Sequence, residues 1–256
     1  MFLDYDFTLL FMIFLRMSGC VLFNPIFGRK NIPPLVKVSL GIVFTLFVYN
    51  SVSIEPIVIN NITVFIVTGV KELLVGFIIG FIMNLFLSTL IISGDLMDMQ
   101  MGISMSKIYD PSSNVSMPLS ASLVNAMMIV LFFLTNSHHT LIKIFMYSAT
   151  AVPVGNFEIN PDVFKQLALM LSQILVYSVK LAMPILAAEL ITEIGVGIMM
   201  KAVPQINVFV VNIQLKILIG FVLMLILAVP FANFTDRLFT LMFENINKTL
   251  LMLNSG

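Results

Sequence analysis

An all-α, membrane-associated fold is what this sequence predicts, and three observations predict it. Of 256 residues, 59% are hydrophobic and 10% are charged, against about 25% charged in soluble domains. The apolar residues form six long runs without period-2 alternation, which selects helices over barrel strands. Charged residues nevertheless sit inside several of these runs, where they need protein or water around them. A mean hydropathy of +1.07 places such a chain in a membrane or among other subunits.

The first run covers about residues 7–27 and ends at Asn24-Pro25. Asp4 and Asp6 precede it where a signal peptide carries basic residues, so it reads as a retained first helix. The second run covers about 35–54. The third, about 60–92, exceeds the roughly 20 residues of one span. Lys71 and Glu72 split it, which predicts a bend or an extension beyond the bilayer. The fourth, about 119–151, carries Thr-Asn-Ser-His-His at its middle and can divide into two helices. The fifth, about 163–200, contains Pro184. The sixth, about 205–232, ends at Pro230, and an amphipathic tail closes the chain. No repeat and no low-complexity linker divides the sequence, so residues 1–256 read as a single domain.

Charge and cysteine usage narrow the function. Thirteen basic and 13 acidic residues cancel, and without a basic stripe nucleic-acid binding has no electrostatic footprint. Cys20, the one cysteine, has no internal disulfide partner and reads as core. Adjacent His138 and His139 point about 100° apart on a helix, a poor metal pair and a better helix end. No catalytic triad, HExxH motif, P-loop or paired-carboxylate arrangement is present, so no enzyme, cofactor or metal is expected. Arg29, Lys30 and Lys37 flank the first link without an acid, which puts that link on the cytoplasmic side and the N-terminus outside.

Arg16, Lys180 and Lys216 fall near the middle of apolar runs, where a basic residue costs roughly 2.5–3.5 kcal/mol on insertion scales. Glu72, Glu189 and Glu193 are the candidate acids, the last two four apart on one helix face. Three readings are open: structural ion pairing or snorkelling, a proton or ion relay, and burial of these helices inside a protein assembly. Gly76 and Gly80 form a small-xxx-small pair suited to close helix packing.

The central stretch, about 94–118, is polar and methionine-rich. Gly94 is expected to end or loosen the preceding helix. Asp110-Pro111 disfavours helix at Asp110, and Ser112, Ser113 and Asn114 favour a turn. Pro118 suits the first turn of the next helix. Irregular backbone at membrane depth is tolerated only inside protein or beside water, so a cavity is expected. Met97, Met99, Met101, Met105 and Met117 read either as a deformable seal or as ordinary helix formers.

This stretch, GDLMDMQMGISMSKIYDPSSNVSMPLSASLVN, resembles the signature of the FliR/SctT family, the R-type subunits of flagellar and virulence type III export gates. The family pattern G-E-x-x-G-x-Q-M-G-x-S-F-x-x-x-x-D-P, a polar turn and M-P is matched by Gly94, Gln100, Met101, Gly102, Ser104, Asp110, Pro111, Met117 and Pro118. Pro25, Ile26, Ile32, Pro33, Val36, Lys37, Leu40 and Gly41 match an earlier family stretch, and Pro204, Gln205, Phe209, Leu215 and Gly220 a later one. Family members usually carry Glu at the place of Asp95, Gly at that of Asp98, Phe at that of Met105 and a small or apolar residue at that of Lys107.

The resemblance implies helical hairpins assembled in a hetero-oligomeric export gate with P-type and Q-type subunits, largely outside lipid. It also implies the B-type switch protein as a partner, unfolded secretion substrates as cargo, and the bacterial inner membrane at the flagellar basal body as the location. By position it implies a plug at about 102–118, including Gly102, Met105, Ile108, Tyr109, Asp110, Pro111, Met117 and Pro118. A virulence injectisome subunit is the neighbouring reading. A small-solute transporter is the more distant one, and it predicts paired interrupted helices in matching halves.

Overall fold

Helices account for nearly all of the computed structural model, which describes residues 5–51, 61–105, 119–155, 160–202 and 208–254. They are α1 (Tyr5–Leu22), α2 (Pro34–Ser51), α3 (Ile62–Met101), α4 (Leu119–Leu134), α5 (Ser137–Ala151), α6 (Asp162–Ala202), α7 (Val208–Ile226) and α8 (Ala228–Asn254), with a 3-10 turn at Ile103–Met105. By length and composition α2, α3 and α6 can each cross a membrane. The broken pairs α4–α5 and α7–α8 raise that number to five if each pair is one span.

Local chemistry sets the helix ends. Asn24 accepts from the N–H groups of Ile26 (2.8 Å) and Phe27 (3.1 Å), an Asx turn that carries the chain out of α1 before Pro25 can disturb it. Pro34 opens α2, where its missing N–H is an orphan in any case. Asn61 and Asn160 accept from the N–H of Thr63 and Asp162 at the starts of α3 and α6. Gly102, at φ 80°, closes α3 in the left-handed region open to glycine. Asn136, at φ 56°, separates α4 from α5.

Three expectations are corrected. Lys71 and Glu72 do not split the third run, and Gly94 does not end it; α3 continues through both to Met101. The sixth run breaks at Leu227 rather than near residue 232. Pro230 lacks the N–H that the carbonyl of Ile226 needs, so its effect appears four residues upstream. Leu227 and Phe231 still make their helical bonds to Leu223 and Leu227.

The chain divides into two compact units. The first comprises residues 1–87, 135–171 and 238–256. Its core includes Met12, Ile13, Met17, Val75, Ile79 and Phe86, all fully buried. Within it α1 runs parallel to the first part of α3. Phe11 stacks on Phe65 (5.6 Å between centroids), Gly19 meets Gly76, and Phe23 meets Phe77 edge-on at 4.8 Å. The close approach requires glycine: a Cβ on Gly76 would strike the carbonyl of Arg16 and the backbone nitrogen of Cys20, and one on Gly80 would lie 2.7 Å from the backbone of Phe23. Phe44 of α2 packs edge-on against Phe145 of α5 at 5.6 Å.

The second unit comprises residues 88–134 and 172–237, with Phe132, Ala182 and Ile185 fully buried. Tyr177 of α6 meets Phe234 of α8 at 6.3 Å. Elsewhere α6 leaves Leu175, Val179, Met183, Ile191, Ile194 and Ile198 exposed. An apolar face of that extent suits lipid or a protein neighbour rather than water.

Gly76→Ala should lower stability by about 1–3 kcal/mol, since backbone rather than a flexible side chain blocks the new methyl. Gly195→Ala, with nothing within 4 Å of its Cβ position, should leave stability unchanged or raise it by up to about 1 kcal/mol. Thermal unfolding of the two variants in detergent provides the comparison. Equal midpoints would show that α1 and α3 do not meet through Gly76.

Candidate functional site

In the second unit the two ends of the central segment are fastened together. Asp98, on the last turn of α3, is buried and accepts from the N–H of Ser120 (3.2 Å to each carboxylate oxygen), while the Ser120 hydroxyl donates to Asp98 Oδ1. Ser120 is the second residue of α4, where backbone N–H groups lack helical acceptors and the helix dipole favours an anion. One turn before Asp98 on α3, Gly94 lets α4 come close; a Cβ there would strike the backbone and Cβ of Ala121. The pair closes the base of the stretch between α3 and α4. Ser120 Oγ also reaches Met224 Sδ of α7 at 3.5 Å.

The methionines separate by position. Met97 and Met101 are fully buried, and the Met101 sulfur occupies the space beside Gly220 of α7. Met99 is 69% exposed. Gly102 ends α3, and the backbone of Met105 lies in the 3-10 turn. Ile108, Tyr109, Asp110, Pro111, Met117 and Pro118 lie outside the described residues.

The charges in the second unit meet in part. Lys216 of α7 pairs with Glu193 of α6 at 3.3 Å, and because Glu193 is about half exposed the pair contributes at most about 1 kcal/mol. Glu189, one turn before Glu193, is fully buried, and neither carboxylate oxygen has a hydrogen-bond partner among the described residues. Its Oε1 lies 3.4 Å from a Cβ position on Gly220, the place that Met101 crowds. Lys180 stands exposed on α6, with its Nζ 5.8 Å from the centroid of Tyr177.

Arg16 and Glu72 meet in the first unit, both at 0% exposure. Arg16 Nε donates to Glu72 Oε2 at 2.6 Å. Its Nη1 donates to the carbonyls of Ser148 (2.6 Å) and Val152 (2.8 Å) at the C-terminal end of α5, where the helix dipole favours a cation. Glu72 Oε1 accepts from the N–H of Gly155 at 2.7 Å, in a turn that Gly155 makes at φ 85°. Arg16 therefore has its counter-ion within the chain, and the inference that it needs a protein assembly around it is withdrawn. The sequence flagged both residues without pairing them. It missed Asp98 as a cap and Gly19 as a contact; the one signal available was acid and glycine one helical turn apart.

The family described as bacterial export proteins, family 1, matches residues 7–242. The chain belongs to that family. Relatives of this export protein include the flagellar biosynthetic protein FliR of Escherichia coli K12, 27% identical over 90% of this chain and 88% of the relative. FliR of Bacillus subtilis is 24% identical over 93% of both chains. Yop proteins translocation protein T of Yersinia pestis is 26% identical over 91% of this chain and 90% of the relative.

Two outcomes test the geometry of the export protein. Glu72→Ala should destabilise it by about 3–5 kcal/mol by leaving Arg16 buried and unpaired, whereas Arg16→Met combined with Glu72→Leu should cost much less. A double-mutant cycle on unfolding midpoints measures the difference, and additive losses would deny the pair. Asp98→Ala should cost about 1 kcal/mol at the start of α4. Hydrogen exchange should then quicken roughly fivefold around Ser120 and stay unchanged in α5.

Proposed function

We propose that this protein is a core subunit of a bacterial type III export gate and that residues 102–118 stopper the conduit through which unfolded proteins leave. A role in the type III export apparatus accords with relatives in both its flagellar and its virulence branches. The plug reading rests on one observation above all: Asp98, Ser120 and Gly94 clamp the foot of the central segment. A stopper held at both ends can open and reseat without the flanking helices coming apart. No catalytic step is assigned.

Within this proposal the chain sits in the inner membrane at the flagellar basal body, joins P-type and Q-type subunits, and receives the B-type switch protein. The uncovered apolar face of α6 and its exposed Lys180 support partners there, since an ammonium amid leucine, valine and methionine is poorly placed against lipid alone. The flagellar branch is the preferred reading. The injectisome branch is the second, favoured by the Yersinia relative.

Replacing residues 106–117 with a Gly/Ser linker of equal length should make cells holding the assembled complex permeable to small solutes while the complex still forms. The measurements are solute uptake and co-purification with P-type and Q-type subunits. Intact assembly with unchanged permeability would overturn the plug. Stable solute transport by the purified chain alone would overturn the export-gate reading.

A further inference from the structure

The turn after α1 builds a cavity that the export reading does not use. The parallel register of α1 and α3 sets its depth. From Phe65, which stacks on Phe11, to Asn84, beside Phe23, α3 advances about 29 Å at 1.5 Å per residue. That is close to the roughly 30 Å of a bilayer core, with the Arg16–Glu72 pair between the two levels. The turn at residues 23–33 therefore stands at a membrane boundary, and its cations mark that boundary as the cytoplasmic one.

Asn84 Nδ2 donates to the Phe23 carbonyl at 2.8 Å and fastens the turn to α3. Gly28 fits under the carbonyls of Leu22 and Asn24 with no room for a Cβ. Arg29 Nε donates to the Pro25 carbonyl at 3.2 Å, and Arg29 lines the cavity. Lys30 is exposed beside it. Together Leu22, Phe23, Asn24, Arg29, Lys30 and Asn84 line most of a cavity of about 290 Å³, with no acid among its described lining residues. Leu22 and Phe23 are 50% and 39% exposed. The lining thus combines cations with exposed apolar side chains, as a molecule with an anionic head and a hydrocarbon tail requires.

We propose that this cavity binds the phosphate of an anionic phospholipid headgroup, with Arg29 and Lys30 on the phosphate and Leu22 and Phe23 against the adjoining acyl chain. A planar guanidinium and a mobile ammonium both suit a phosphodiester. Each cation near an anionic surface is worth about fivefold in affinity.

The test titrates the full chain in detergent with spin-labelled phosphatidylglycerol, with spin-labelled phosphatidylcholine, and with phosphatidylglycerol in the presence of millimolar inorganic phosphate. Phosphatidylglycerol should be immobilised and phosphatidylcholine should not, and inorganic phosphate should compete weakly. Lys30→Gln, an exposed change that breaks no described contact, should weaken phosphatidylglycerol binding about fivefold, and Arg29→Gln with Lys30→Gln about thirtyfold. Lys165→Gln with Lys201→Gln removes two charges elsewhere and should leave binding unchanged. The proposal is overturned if both double variants lose affinity equally, if neither loses any, or if phosphatidylcholine binds as well. Full displacement by inorganic phosphate would assign the cavity to a free anion and overturn the lipid source.

Discussion

The buried pair of Arg16 and Glu72 is the constraint on which the first unit depends. An isolated guanidinium at that depth is expensive to desolvate, and here a carboxylate, two carbonyls and an N–H from the Gly155 turn satisfy most of the pair's hydrogen-bonding groups. Those bonds need α1, α3 and α5 to approach to within one side chain's reach. Gly19 and Gly76 make that possible by leaving backbone against backbone where they meet. The ion pair and the glycine pair enforce one register: sliding α1 by one residue would separate the charges and drive a side chain into backbone.

The same construction recurs at the far end of α3. Glu72 and Gly76 are one turn apart, as are Gly94 and Asp98. In each case the glycine admits a neighbouring helix and the acid takes that neighbourhood's unsatisfied donors: Arg16 and the Gly155 N–H at one end, the Ser120 N–H and hydroxyl at the other. The acids differ in length for a reason. Glu72 reaches across to donors on two separate residues, Arg16 and Gly155, whereas Asp98 takes both of its donors from Ser120. A shorter acid with glycine beside it suits a clamp at the foot of a loop. It also gives a physical role to Asp98, at a position where the FliR/SctT pattern more often carries glycine.

Much of the fold was legible because helix-forming runs, turn residues and misplaced charges are local signals. The Asn136 break, the helix-end histidines at the start of α5 and the misfit charges Arg16 and Glu72 all follow from composition and spacing. What failed was judging glycine and charge by their effect on their own helix. Gly94 was expected to weaken α3, and Lys71-Glu72 to split it. Instead α4 packs against Gly94 and Arg16 neutralises Glu72, so tertiary contacts offset the local cost. Pro230 misled by offset: proline breaks the bond owed to the carbonyl four residues earlier, so the helix parts at Leu227 rather than at the ring. Pairings such as Arg16 with Glu72, 56 residues apart, leave no trace in spacing at all.

The remaining charges then divide by how they are satisfied. Arg16, Glu72 and Asp98 are met within the chain, and Lys216 has Glu193. Glu189 is buried with both oxygens unpartnered among the described residues, and Lys180 projects from an apolar face with its Nζ 5.8 Å from the Tyr177 ring. Both lie on α6, the helix with the longest uncovered apolar face, but Glu189 is buried beside Gly220 of α7, so only Lys180 stands where a neighbouring helix can supply a counter-charge. Lipid can cover the leucines and valines of that face, but it offers nothing to a carboxylate or an ammonium at mid-helix. The placement of Lys180 among exposed apolar side chains is therefore what supports, independently of any relative, the proposal that protein covers α6.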